Sequence, residues 1–321
     1  MQRLEIKALE KASELLSNGT VNRVLGWKKG EFCYDVSPAV FNTVEELKEF
    51  VYNGFCGANL SKYLIAESKK EGKILVFLKP CDTYSFNQLI KEHRINKDNV
   101  YVVGIECQGK FDIEKFYKMG VEFVSSIEES VQSVKVNGEK ELSRDDVKLE
   151  RCLVCDKKHV AYDELIEFEE KLPSKSDRFE MVKKLEAMTA DERYAFWKQE
   201  LSKCIRCNAC RNVCPACNCT KCVFDNPNSE VSSKANADSF EEKLFHIIRA
   251  FHVAGRCTDC GECSRVCPQN IPLHLLNRKF IGDINRLYGE YQAGEDTTSR
   301  GPLTNFTKED AEPSEAVGGN E

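Results

Sequence analysis

The chain has 321 residues, with 46 Lys and Arg against 52 Asp and Glu, a net charge of −6 and a pI near 5.6. That acidic balance leaves no basic footprint for nucleic acid, while the length and 41% apolar content suggest two domains with real cores. Seventeen cysteines, an odd number behind a charged, amphipathic N-terminus without an apolar signal core, exclude a small secreted disulfide framework.

Residues 1–165 read as an α/β domain. An amphipathic helix over residues 2–17 stops at Asn18-Gly19. Val21–Trp27 and Glu31–Val36 flank Lys28-Lys29-Gly30 as a hairpin. Thr43-Val44-Glu45-Glu46 is a capping box expected to open a helix that Asn53-Gly54 closes. The β-branched runs Lys73–Lys79 and Asn99–Ile105, separated by a helix around 83–94, form a strand–helix–strand unit. They are therefore expected to be parallel neighbours in a covered sheet. Val121–Ser125, after a helix around 112–119, is a candidate third strand. Residues 140–200 are charged and mostly helical in pattern, with residues 166–200 as a linker. Thr189-Ala190-Asp191-Glu192 caps the helix that carries Phe196 and Trp197 onward. Residues 201–290 form a cysteine-rich half, in which Ser239–Val253 has helical apolar spacing at Phe240, Leu244, Ile247, Ile248 and Phe251. Residues 291–321 have the composition of a disordered tail.

The chemistry sits in a doubled run. Cys204-x2-Cys207-x2-Cys210-x3-Cys214-Pro215 recurs as Cys257-x2-Cys260-x2-Cys263-x3-Cys267-Pro268. This is the bacterial ferredoxin spacing: three thiolates wrap one 4Fe–4S cube and the fourth crosses to the other copy's cube. Cluster one thus takes Cys204, Cys207, Cys210 and Cys267; cluster two takes Cys257, Cys260, Cys263 and Cys214. Structural zinc prefers two separated pairs, which this layout lacks. The forty or so residues between Cys214 and Cys257 point to a mostly helical dicluster ferredoxin domain, so the fold class is α/β with a partly parallel sheet plus that C-terminal domain.

Four more cysteines suggest a third cubane. Cys81 and Cys107 are expected to end the two parallel strands and so to share their C-terminal edge, where ligands bind in open α/β sheets. Cys152-x2-Cys155 adds a chelating pair. The alternative is inert cysteines packed as small apolar residues. Cys217, Cys219 and Cys222 stay open between reduced thiols near the first cluster, replacement of Cys214 as a ligand, and a further metal site completed by Cys33, Cys56 or a partner protein. His246 and His252 read as packing or solvent residues. No dinucleotide fingerprint, phosphate loop or nucleophile–base constellation is present.

Lys-Pro-Cys81-Asp, Gly-Ile-Glu-Cys107 and Cys152-x2-Cys155-Asp together resemble the beta subunits of deazaflavin-coenzyme-reducing hydrogenases and formate dehydrogenases. Cys-Pro-Ala-Cys217-Asn-Cys219 is similar to the block found in sulfhydrogenase beta subunits and in anaerobic sulfite reductases. Ile248 to Pro268 is similar to iron–sulfur subunits beside heterodisulfide-reductase-like complexes. The resemblance covers roughly residues 60–280. It implies an anaerobic redox subunit relaying electrons between a hydrogenase, formate dehydrogenase or NAD(P)H-oxidising flavoprotein and a heterodisulfide-reductase-like or ferredoxin partner, in an electron-bifurcating assembly. Coenzyme-reducing relatives carry FAD, with a Gly/Ser-rich segment after the Cys-x2-Cys; here a charged, helical-looking stretch from Lys157 stands there. The alternative function is an FAD-containing catalytic subunit that reduces a deazaflavin or nicotinamide; a zinc-bound scaffold is a third. With no stretch approaching eighteen apolar residues, no membrane span is expected, and the reduced cytoplasm is the expected location.

Overall fold

The computed structural model describes residues 2–167, 177–226 and 239–303. The first helix, Gln2–Ser17, buries Leu4, Ala8, Ala12 and Leu15 as one stripe and packs on the central sheet. That sheet has five strands: β1 (Arg23–Lys29), β2 (Val36–Phe41), β3 (Ile74–Leu78), β4 (Val100–Ile105) and β8 (Glu164–Ile166), in the order β2-β1-β3-β4-β8. β1, β3, β4 and β8 run parallel and β2 antiparallel, so the sheet is partly parallel as expected. All five residues of β3 are buried, which is why its sequence is continuously apolar and does not alternate. Phe77 is fully buried and meets the Phe50 ring at 5.4 Å between centroids. Phe77→Ala is expected to destabilise this domain by about 3–5 kcal/mol through the cavity it leaves, read as a lowered urea midpoint.

Several local expectations shift. The hairpin's second strand begins at Val36, because Gly30 N–H bonds Asp35 C=O at 2.6 Å and residues 30–35 become its loop. Thr43 does accept from Glu46 N–H (3.3 Å), yet only the short 3-10 turn Glu46–Glu49 follows. Phe50 then bridges Lys28 at the end of β1, beyond the reach of β3, and tertiary pairing wins over the local cap. Val121–Ser125 is not a strand. Instead, β5 (Ile127–Glu129), β6 (Ser133–Val136) and β7 (Lys140–Ser143) form a separate antiparallel sheet over Phe111, Phe116 and Val124. Its β6–β7 turn, Asn137-Gly138, has both residues at positive φ, the geometry those residue types favour. The stretch from Lys157 is not helical through residue 167: it is irregular until Glu164–Ile166 pairs with β4.

The capping box at Thr189 and Glu192 forms in both directions and opens the helix Ala190–Leu201. Helices Ser239–Val253 and Leu273–Tyr288 pack on each other around the cysteine runs. Ser239–Val253 buries Phe245, His246, Arg249, Ala250 and Val253, leaving Ile247 and Phe251 outward, so its inner face is rotated from the one the spacing suggested. His246 is a packed residue; burial, with Arg249 and Arg206 nearby, lowers its pKa to about 3. Of the expected tail, residues 304–321 lie outside the described residues. Residues 291–303 run along the α/β domain: Asn87 donates to Glu295 C=O (3.4 Å). Gly294, at φ +77, comes so close to Tyr84 C=O that any Cβ would collide with it.

Candidate metal centre

The ferredoxin half builds the same loop twice. The second residue after the first cysteine and the residue after the second cysteine are left-handed in both copies: Arg206 and Asn208 in one, Asp259 and Gly261 in the other. This turns backbone N–H groups inward. Arg206 N–H lies 3.4 Å from the Cys204 sulfur, and Asp259 N–H bonds Cys257 in the same way. Each third cysteine, Cys210 and Cys263, sits buried in a short helix. Donors aimed at sulfur stabilise thiolate and tune a bound cluster.

The fourth cysteines cross. Cys267 lines one small cavity with Cys204, Cys207 and Cys210, between Phe245 and Ile271. The charge of Cys214 acts instead on Cys257, Cys260 and Cys263. The Cys214 and Cys217 sulfurs hydrogen-bond to one another, so the pair gives up one proton below the usual thiol range and holds the other above it. Of the two, Cys214 is the one buried with Val253, and its charge is felt by all three thiols of the second run. Cys222 packs beside Phe224 and Phe245 with Arg211 on its sulfur, and Cys219 is exposed. Cys217 and Cys219 line a cavity between the two halves with Lys62 and Arg94. Cys56 is fully buried in the main core and Cys33 packs over the small sheet; neither lines that cavity.

The α/β half gathers four of its six cysteines, Cys81, Cys107, Cys152 and Cys155, on the wall of one cavity of about 420 Å³. β3 and β4 pair Leu78 with Gly104, which brings Cys81 and Cys107 to one edge. Cys81 belongs to the first turn of the helix Pro80–Lys91 and does not end the strand itself. Lys110 N–H lies 3.4 Å from the Cys152 sulfur. Burial pushes the Cys155, Cys260 and Cys263 thiols up to about 12, so their thiolate forms call for a cation at hand. Among the described residues no three His, Cys, Asp or Glu converge closely enough to hold a single metal ion. Thiols spread over a cavity wall suit a body several ångströms across, and so the residues present fit a cluster better than one zinc.

Sequence reasoning missed the cations around these thiols. Lys79 and Lys110 are both 1% exposed and lie over the rings of Trp27 and Tyr52. Burial would lower the Lys79 pKa, but Asp82 at 2.7 Å and the Cys81 sulfur hold it above its usual value. The signal lay in Lys-Pro-Cys-Asp, where a cation and an anion bracket a thiol. Lys79→Met strands the buried Asp82 carboxylate and is expected to cost about 3–5 kcal/mol, measured as a lower melting temperature.

All seventeen cysteines are free of disulfides. Residues 200–271 match the family described as a 4Fe-4S dicluster domain. The F420-dependent formate dehydrogenase subunit beta of Methanocaldococcus jannaschii is 27% identical over 92% of this chain and 92% of its own length. The chain carries a 4Fe-4S dicluster domain and is similar over nearly its whole length to a formate dehydrogenase beta subunit. The F420-dependent formate dehydrogenase 1 subunit beta of Methanococcus maripaludis is 25% identical over 65% of this chain and 71% of its own length. A chain of the F420-reducing [NiFe] hydrogenase complex from Methanosarcina barkeri covers 48% of this chain and 59% of itself, with a TM-score of 0.37 and 15% identity, too loosely to carry an argument.

The two halves of the chain are clamped together beside the thiols. Lys62 donates to Cys217 C=O (2.6 Å) and Arg94 to Asn218 C=O (2.7 Å). Arg256 holds both oxygens of Glu92 at 2.7 Å, and Ser85 meets Thr258 at 2.8 Å in a buried contact. Among the described residues no helix is long and apolar enough to cross a membrane.

Proposed function

We propose that this subunit relays electrons between partner proteins through three 4Fe–4S clusters in series: one at Cys204, Cys207, Cys210 and Cys267, one at Cys214, Cys257, Cys260 and Cys263, and one at Cys81, Cys107, Cys152 and Cys155. The observation that carries the reading is the position of Cys260. It belongs to the second ferredoxin run and also lines the wall of the α/β four-thiol cavity. Cluster two is thereby the natural middle of the chain, with the α/β site on one side and the Cys204 site on the other. Each cluster supplies one-electron redox chemistry. The protein's own residues hold the thiolates, aim N–H groups at them and set the local charge.

The relatives' names point to a catalytic partner of the formate dehydrogenase kind at one end, and the sequence resemblance adds a hydrogenase or an NAD(P)H-oxidising flavoprotein to the proposal. A heterodisulfide-reductase-like protein or a ferredoxin is the proposed partner at the other, with bifurcation as a property of the assembly. The α/β boundary near residue 165 and the ferredoxin domain at 201–290 are the proposed working units.

Purifying the native complex and assaying iron, sulfide and flavin in the separated subunit tests this. The relay predicts about twelve irons per chain and no flavin. Flavin released from this subunit on denaturation would instead make it the FAD-containing catalytic subunit.

A further inference from the structure

Between the α/β thiol cavity and the second ferredoxin run lies a buried charged group that neither cluster's ligation requires. Arg151, immediately before Cys152, reaches across the domain junction. Its guanidinium donates to the backbone C=O of Cys260 and to Gly57 C=O (3.2 Å), and pairs with Glu262 at 2.8 Å. The two side chains are 9% and 1% exposed. Glu262 also pairs with Arg265 (2.8 Å) and accepts from Asn59 N–H (3.3 Å). Lys79 and Asp82 also face the group and pair with one another at 2.7 Å.

The Arg151 charge acts on the sulfurs of Cys152, Cys81 and Cys260, ligands that belong to both clusters in the reading above. Its stem lies against Gly261, where a Cβ would come within 2.5 Å of Arg151 Cδ; Gly261 is also left-handed, at φ +65. The backbone there is shaped to let this side chain pass.

We propose that Arg151, held by Glu262, is a charge-tuning bridge that raises the reduction potentials of the α/β cluster and cluster two together and screens each from the other's negative charge. The inference rests on the three-cluster reading. Each transfer moves one electron, oxidising one site by one electron as the other is reduced by one. Two anionic sites separated by protein of low dielectric repel, so reducing one makes the other harder to reduce. A buried guanidinium between them eases both reductions. Two guanidinium groups and one carboxylate leave this group a net positive charge. Cluster one has no ligand among the sulfurs on which Arg151 chiefly acts.

The test is an EPR-monitored redox titration of the complete chain, isolated anaerobically, with iron and sulfide determination. Arg151→Met and Glu262→Gln break the same ion pair but change the local charge in opposite directions. Arg151→Met is expected to lower the midpoints of the α/β cluster and cluster two by about 59 mV, a tenfold change in the oxidised-to-reduced ratio of a one-electron couple. Glu262→Gln is expected to raise them, Arg151→Lys to restore most of the wild-type value, and cluster one to stay put in all three.

A merely structural pair would instead move both variants the same way. Shifts of one sign, unmoved potentials with iron retained, or iron lost from both variants would each overturn the proposal. If the wild-type chain binds iron for only two clusters, the three-cluster reading fails and takes this one with it. If it binds three and the opposite shifts are missing, only the bridge fails.

Discussion

Cys214→Ala is expected to abolish the same EPR signal as Cys257→Ala, although it lies in the first cysteine run. Each should lower the iron content by about one third, ~4 atoms of ~12 per chain, and leave the signal of the Cys204 site in place. Cys267→Ala should do the converse, removing the site that it lines with Cys204, Cys207 and Cys210. The crossing follows from the geometry: Cys214 is buried against Val253 and Cys257, and its charge is felt by all three thiols of the second run. Cys217→Ala is the control. As the hydrogen-bond partner of Cys214 it should keep the full iron complement and shift only the potential of cluster two. Retention of the second run's signal in Cys214→Ala, with its loss in Cys217→Ala, would reassign the ligand.

The second large effect is at the α/β cavity. Cys152→Ala removes one of four thiols from a wall that no other described cysteine except Cys260 shares. The expected result is loss of about one third of the iron, with both ferredoxin signals retained. Electron flow between the partners should fall by two orders of magnitude or more, on the order of the outer range seen when a metal site's supporting shell is lost. Full iron and full coupled flow in this variant would show that the four cysteines are packing residues. The same measurement on Cys81→Ala guards against a local fault of the Cys152 loop, since Cys81 arrives from a different element, the helix Pro80–Lys91.

The parts legible in the sequence were those governed by local pattern. The β3 and β4 runs could be read because a strand covered on both faces must be apolar throughout, and their parallel pairing followed from the helix between them. The Thr189 cap could be read because its partner is three residues away. Elsewhere long-range contacts decided. The hydrogen bond to Thr43 formed with only a short 3-10 turn behind it, because Phe50 pairs with Lys28 at the end of β1. The strands β5 to β7 are short and charged, and only the Asn137-Gly138 turn announced them. Glu164–Ile166, read as part of a charged helix, became the last strand because β4 offered it an open edge.

For the metal centre the division is sharper. Ligand spacing is a covalent property of the chain, so the two ferredoxin runs and the Cys152-x2-Cys155 pair could be recognised before any fold was known. Four thiols facing one cavity is a consequence of strand register, and only the folded sheet brings Cys81 and Cys107 to the edge where the pair waits. The placement of Cys260 on that same wall, and of Arg151 and Glu262 between the two halves, depends on domain packing across more than a hundred residues of sequence. Burial and low dielectric give those charges their weight, and neither can be read from a linear order of residues.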